Sequence, residues 1–127
     1  MKEKIMWDKE VLSQIDIADD LKIAPFRPDG QTTGTPTWIW AVIVEGRLFV
    51  RAYNGVHSSW YQAAIHQQVG KIYAINRVFD VVFNSIKDSQ LNEKIDQAYR
   101  KKYASSRYVS HMIGDNCRAA TIEILVK

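Results

Sequence analysis

The chain has 127 residues, 46% of them hydrophobic and 24% charged, with a net charge of +3. That length suits one domain over 1–127 with a core of its own, and the small charge gives little support for nucleic-acid binding. The single cysteine, Cys117, excludes an intramolecular disulfide and a Cys-based zinc site; no apolar run approaches the roughly 20 residues of a membrane span, and the start MKEKIMWDKEV lacks the apolar segment of a signal peptide, so a cytoplasmic location is the expectation.

In chain order, Asp8 is placed to cap a short helix over 9–15, with Val11, Leu12 and Ile15 as its apolar side. A strand follows at 21–26. The stretch PFRPDGQTTGTP, 25–36, holds all three prolines and reads as a long loop. TWIWAVIV (37–44) and RLFVRAY (47–53) are rich in β-branched and aromatic residues, and Glu45-Gly46 between them fits a two-residue hairpin turn. A helix is expected over 59–68 and two strands near 70–76 and 77–84. Residues 89–103 give the clearest helix, with Leu91, Ile95, Ala98, Tyr99 and Tyr103 on one face and charges on the other. Residues 117–126 close the chain as a strand. With no Gly-rich phosphate loop between a strand and a helix, this order favours an antiparallel barrel with helices at its rim.

The hairpin sorts its residues onto two faces. A turn at Glu45-Gly46 pairs Val44 with Arg47, Val42 with Phe49, Trp40 with Arg51, and Trp38 with Tyr53. The opposite face carries Ile39, Ala41, Ile43, Leu48, Val50 and Ala52, which suits a barrel interior. The face with Trp38, Trp40, Phe49, Tyr53 and Arg51 is too apolar to stand in water. Three covers fit it: a helix of the same chain with Arg51 reaching out to solvent, a second subunit, or a flat aromatic ligand.

The bend VRAYNGVHSSWYQAA, 50–64, gathers polar groups beside that face. A helix starting near residue 59 leaves its first N–H groups unpaired and partly positive. Ser58 or Ser59 can satisfy one of them, or an anion can, with Arg51 one turn upstream to neutralise it. Asn54 and Gly55 permit a tight backbone there, and ordinary strand–turn–helix chemistry uses the same residues.

The segment PTWIWAVIVEGRLFVRAYNGVHSSWYQAA, 36–64, with KI opening the next strand and IDQAYRKKY at 95–103, resembles the flavin- and deazaflavin-binding split-barrel superfamily of pyridoxamine 5'-phosphate oxidase-like proteins. Within it, the chain looks most like a branch defined only as a domain of unknown function. The resemblance implies a mainly β, six-stranded antiparallel split barrel with peripheral helices, commonly a homodimer, with FMN in a groove near the subunit interface. By the same resemblance, Arg51 would contact the cofactor phosphate. Ser58, Ser59 and the Trp60 backbone would complete that site at the helix start, and Trp40 or Tyr53 would border the ring. Deazaflavin-binding relatives share a basic loop before the hairpin, where this chain has DGQTTGTPT, and an Asn where it has Ala63, so FMN is preferred over a polyanionic deazaflavin.

Other groups are less specific. His57, His66 and His111 lack ligand spacing, although His57 lies beside the proposed site. Asp8, Asp19 and Asp20 show no metal-loop pattern, and Ser58 and Ser59 lack a nucleophile elbow. The basic run 99–103 reads as a solvated helix face with its tyrosines turned inward, and Cys117 as a small buried hydrophobe. The expectation is a flavin-binding split barrel, with oxidoreductase chemistry as the function a flavin would bring. A non-enzymatic dimeric module for another aromatic anionic small molecule is the alternative.

Overall fold

The structure, a computed structural model, describes residues 6–127, so the basic start MKEKI lies outside it. Helix α1 (Lys9–Ala18) begins where the Asp8 carboxylate accepts the N–H groups of Glu10 and Val11. It runs past the expected end at residue 15 and stops at Asp19, whose left-handed backbone turns the chain. The strands are β1 (Lys22–Pro25), β2 (Thr37–Trp38), β3 (Ala41–Val44), β4 (Arg47–Arg51), β5 (Val69–Ala74), β6 (Arg77–Ser85) and β7 (Thr121–Val126). Both tight hairpins have positive φ at their two central residues, Glu45-Gly46 and Ile75-Asn76, as the twist of the flanking strands requires.

All pairings are antiparallel, and the sheet order is β2-β1-β5-β6-β7-β4-β3. β2 and β3 are neighbours in sequence yet stand at opposite ends of the sheet. Two residues, Ile39 and Trp40, therefore link the ends and curl the sheet into a barrel. Sequence reading makes 37–44 one strand; the structure breaks it there, which turns six expected strands into seven. The break is stable because its polar groups find partners elsewhere. Ile39 N–H donates to the Leu21 carbonyl at 3.1 Å. The Trp40 carbonyl accepts from Tyr99 Oη at 2.9 Å, and the Ala41 carbonyl from Lys102 Nζ at 2.7 Å.

The hairpin register is the expected one from Val44↔Arg47 to Ala41↔Val50, and the ladder stops there. The expected pairs Trp40–Arg51 and Trp38–Tyr53 do not form, since Trp38 pairs instead with Lys22 of β1. The aliphatic face does fill the barrel. Ile39, Ala41, Leu48, Val50 and Ala52 join Ile72, Phe83, Ile122 and Ile124 in one buried cluster, to which α1 adds Leu12 and Ile15 and helix α2 (Ser59–Gln67) adds Tyr61 and Ala64.

The opposite face is covered by the chain itself. Helix α3 (Ser89–Lys102) seats Leu91, Ile95 and Tyr99, with Tyr103 just beyond it, on Val42, Val44 and Phe49. Two short helices escape the sequence reading: α4 (Val109–Met112) and α5 (Asp115–Arg118). The last strand accordingly starts at Thr121, not at 117, and Cys117 is buried on α5. Burial pushes the Cys117 thiol above its ordinary range, and its Sγ donates to the Tyr53 carbonyl at 3.3 Å.

Candidate functional site

Where the barrel closes, a cleft of about 480 Å³ opens beside the break in the strand. Trp38, Ile39 and Trp40 line it from the break, and Arg51, Tyr53 and Asn54 from the end of β4. Ser58 and Trp60 line it from the start of α2, and Tyr108 and Met112 from α4. Six of the eight residues singled out in the sequence thus share one cavity: Trp40, Arg51, Tyr53, Asn54, Ser58 and Trp60. Gly55 and Ser59 are not among its lining residues.

Its aromatic side is well built. Trp40 stacks on Tyr103 with ring centroids 3.9 Å apart and planes 5° from parallel, which fixes the indole. Tyr103 is fixed in turn by its hydroxyl, which donates to Asp19 Oδ1 at 2.5 Å. Burial and the Asp19 carboxylate both push the Tyr103 phenol above its usual range, burial more strongly. Trp38 anchors its indole N–H on the Asp19 carbonyl at 3.0 Å, yet remains 53% exposed. Tyr53 and Tyr108 meet edge to face at 6.3 Å and are also largely open to solvent.

Arg51 serves a different purpose from the one expected. Its side chain neither reaches solvent nor offers a free donor; the residue is 1% exposed. Nε donates to Thr121 Oγ1 at 2.9 Å. Nη1 donates to Asp96 Oδ1 at 2.5 Å and to the Met112 carbonyl at 3.1 Å. Nη2 donates to the Asn92 carbonyl at 3.1 Å and to Asn92 Oδ1 at 3.0 Å. A guanidinium has five N–H donors, and all five are used. Arg51 therefore ties β4 to β7, α3 and α4, and the phosphate-contact role that the resemblance implies is not the one it fills in this structure.

The sequence held one clue to these partners. Asn92 and Asp96 follow Leu91 and Ile95 at helical spacing, so two polar residues flank the apolar stripe of α3 and are buried with it. Asp96 also faces Arg118, whose Nε lies 3.3 Å from its second carboxylate oxygen and has no hydrogen-bond partner.

The bend supplies a milder polarity. Ser58 holds the N-cap position of α2, but its hydroxyl makes no capping bond, so neither it nor Ser59 fills the expected cap role. Gly55 sits at φ +74° in a short 3-10 turn, and a Cβ there would lie 2.3 Å from Asn116 Oδ1. Its need for glycine comes from backbone conformation and from Asn116. His57 does not line the cleft. Nor does His111, whose Nε2 lies 2.6 Å from the Tyr53 carbonyl, so that nitrogen carries the proton and donates. Among the described residues no group of three His, Cys, Asp or Glu side chains could hold a metal, and no helix is long and apolar enough to cross a membrane.

A flavin tests this cavity in two halves. The ring fits, because Trp38, Trp40, Tyr53 and Trp60 offer flat apolar surface. The phosphate does not, because the one cation in the lining is Arg51. A helix N-terminus contributes about 0.3–1 kcal/mol toward an exposed anion. That is below the several kcal/mol of removing an ion from water.

A family described as "Uncharacterized protein conserved in bacteria (DUF2255)" matches residues 11–124. No curated protein matches the chain by sequence. Among solved structures, the conserved hypothetical protein Rv2991 from Mycobacterium tuberculosis is similar at TM-score 0.64 and 12% identity, over 100% of this chain and 83% of that one. A candidate pyridoxamine 5'-phosphate oxidase from Listeria innocua is similar at TM-score 0.62 and 6% identity, over 93% of this chain and 90% of that one. At these identities the likeness is one of fold, and it agrees with the split-barrel architecture expected from the sequence. The chain belongs to the DUF2255 family.

Proposed function

We propose that this chain binds a planar aromatic small molecule of the flavin type in the cleft at the barrel closure. The observation that carries the reading is the pre-set indole of Trp40, stacked on Tyr103 on one face and bordering a 480 Å³ aromatic cavity. Ring-on-ring contact there would cost little side-chain entropy, because the stack is already formed. The resemblance in fold to the Listeria innocua protein supports a flavin as the first ring to try. Any oxidoreductase chemistry would then be the flavin's own. Titration of the purified protein with riboflavin and FMN, followed by tryptophan fluorescence and the flavin spectrum, tests this. Saturable quenching with a shifted flavin spectrum is expected, and no change with either ring would sink it.

A binding module without catalysis is the second reading, and one observation favours it. The cleft lining contains no Asp, Glu, His, Lys or Cys, so no side chain there moves a proton readily near neutral pH. Reduction of the bound ring by NADH or NADPH separates the two readings, since a pure binding module leaves it oxidised. A deazaflavin with a polyanionic tail fits less well than either, for want of free cations. A second copy of the chain is the proposed cover for the exposed rim of Trp38, Tyr53 and Tyr108, and light scattering should return the mass of a dimer.

A further inference from the structure

The ring reading above leaves open which part of a ligand the cleft selects. We infer that the cleft prefers a neutral planar ring over the phosphate ester of the same ring, an inference that rests on that reading.

Arg51 can reach a phosphate only by leaving Asp96, Asn92, Thr121 or the Met112 carbonyl, and each is itself buried. Leaving Asp96 would strand a carboxylate beneath α3. None of the neighbouring basic groups lines the cleft. Arg107 lies on the Tyr108 ring and donates through Nη2 to its hydroxyl at 2.9 Å. Arg118 lies against Asp96 and Glu93. His111 donates to the Tyr53 carbonyl.

What the cleft does offer is neutral. The Asn54 and Ser58 side chains cap neither the 3-10 turn nor α2, and Thr37 joins them in the lining. Amide and hydroxyl groups of this kind pair with ring carbonyls and sugar-alcohol hydroxyls, which need no counter-charge. A phosphate among them would lose water without gaining a cation.

The test compares riboflavin with FMN on the intact protein by calorimetry and tryptophan quenching, at about 0.05 M and about 0.5 M salt. Riboflavin should bind at least as tightly as FMN, within about threefold, and neither affinity should fall with salt. FMN binding tighter by more than about threefold, with the advantage lost at high salt, overturns this inference and leaves the ring reading standing. Binding of neither ring overturns both.

Discussion

Two halves of one sheet face meet at Arg51. On one side, Val42, Phe49 and the guanidinium are sealed beneath α3 and α4; on the other, Trp38 and Tyr53 stay about half exposed along the cleft. Both halves come from the segment 37–53 and both are aromatic-rich. The guanidinium of the sealed half has used all five donors, and the open half has used few. A conspicuous arginine beside a cavity therefore need not belong to the cavity. A buried charge with five partners stabilises the fold, and the residues available to a ligand are those whose groups remain unspent.

The contrast can be broken most severely at Arg51. Arg51→Met strands Asp96 and is expected to destabilise the protein by about 3–5 kcal/mol. Urea unfolding should show this at any ligand concentration. A stable variant that had merely lost ligand affinity would return Arg51 to the cavity.

Gly55→Ala comes next, at about 1–3 kcal/mol, because it combines φ +74° with a clash on Asn116. Pairing it with Asn116→Gly should recover only the steric part. Full recovery would show that the backbone carries no strain.

Tyr103→Phe should cost about 1–2 kcal/mol by removing the hydroxyl's bond to Asp19. A pH signature accompanies it. Tyr103 is raised in the folded protein, so the stability it contributes is complete below the unfolded tyrosine value of about 10 and declines as pH rises above that value. The variant should lose stability less steeply in alkali than the parent, and equal slopes would contradict the assignment.

The smallest effect on stability belongs to the open half. Trp38→Ala should change unfolding by about 1 kcal/mol, the worth of its one hydrogen bond. It should nevertheless weaken ring binding about tenfold or more. Unchanged affinity would place the ligand elsewhere.

What the sequence made legible, and what it hid, follow from the range of the forces involved. The hairpin register from Val44↔Arg47 to Ala41↔Val50, its barrel-facing residues and the apolar stripe of α3 depend on neighbours a few residues apart, and all three were readable. The break at Ile39-Trp40 depends on Tyr99 and Lys102, about sixty residues away along the chain, and 37–44 accordingly looked continuous. The same holds for Arg51, whose partners lie 41 to 70 residues downstream. From nearby sequence alone it looks like a free cation. α4 and α5 are only four residues each, too short to show a helical period, and so Tyr108 and Met112 were missed as cleft residues. The clustering of Tyr53, Asn54, Ser58 and Trp60 was legible because the bend that gathers them is local.

The central claim is that Arg51 belongs to the fold. Its most direct test is the exchange rate of the Arg51 Nε–H with solvent, measured by NMR on the unliganded protein. A proton held by Thr121 beneath α3 should exchange slower by about a hundredfold or more than those of surface arginines, tracking local opening of the structure. Exchange at the surface rate would mean the guanidinium is free, and the account of the cleft would fail with it.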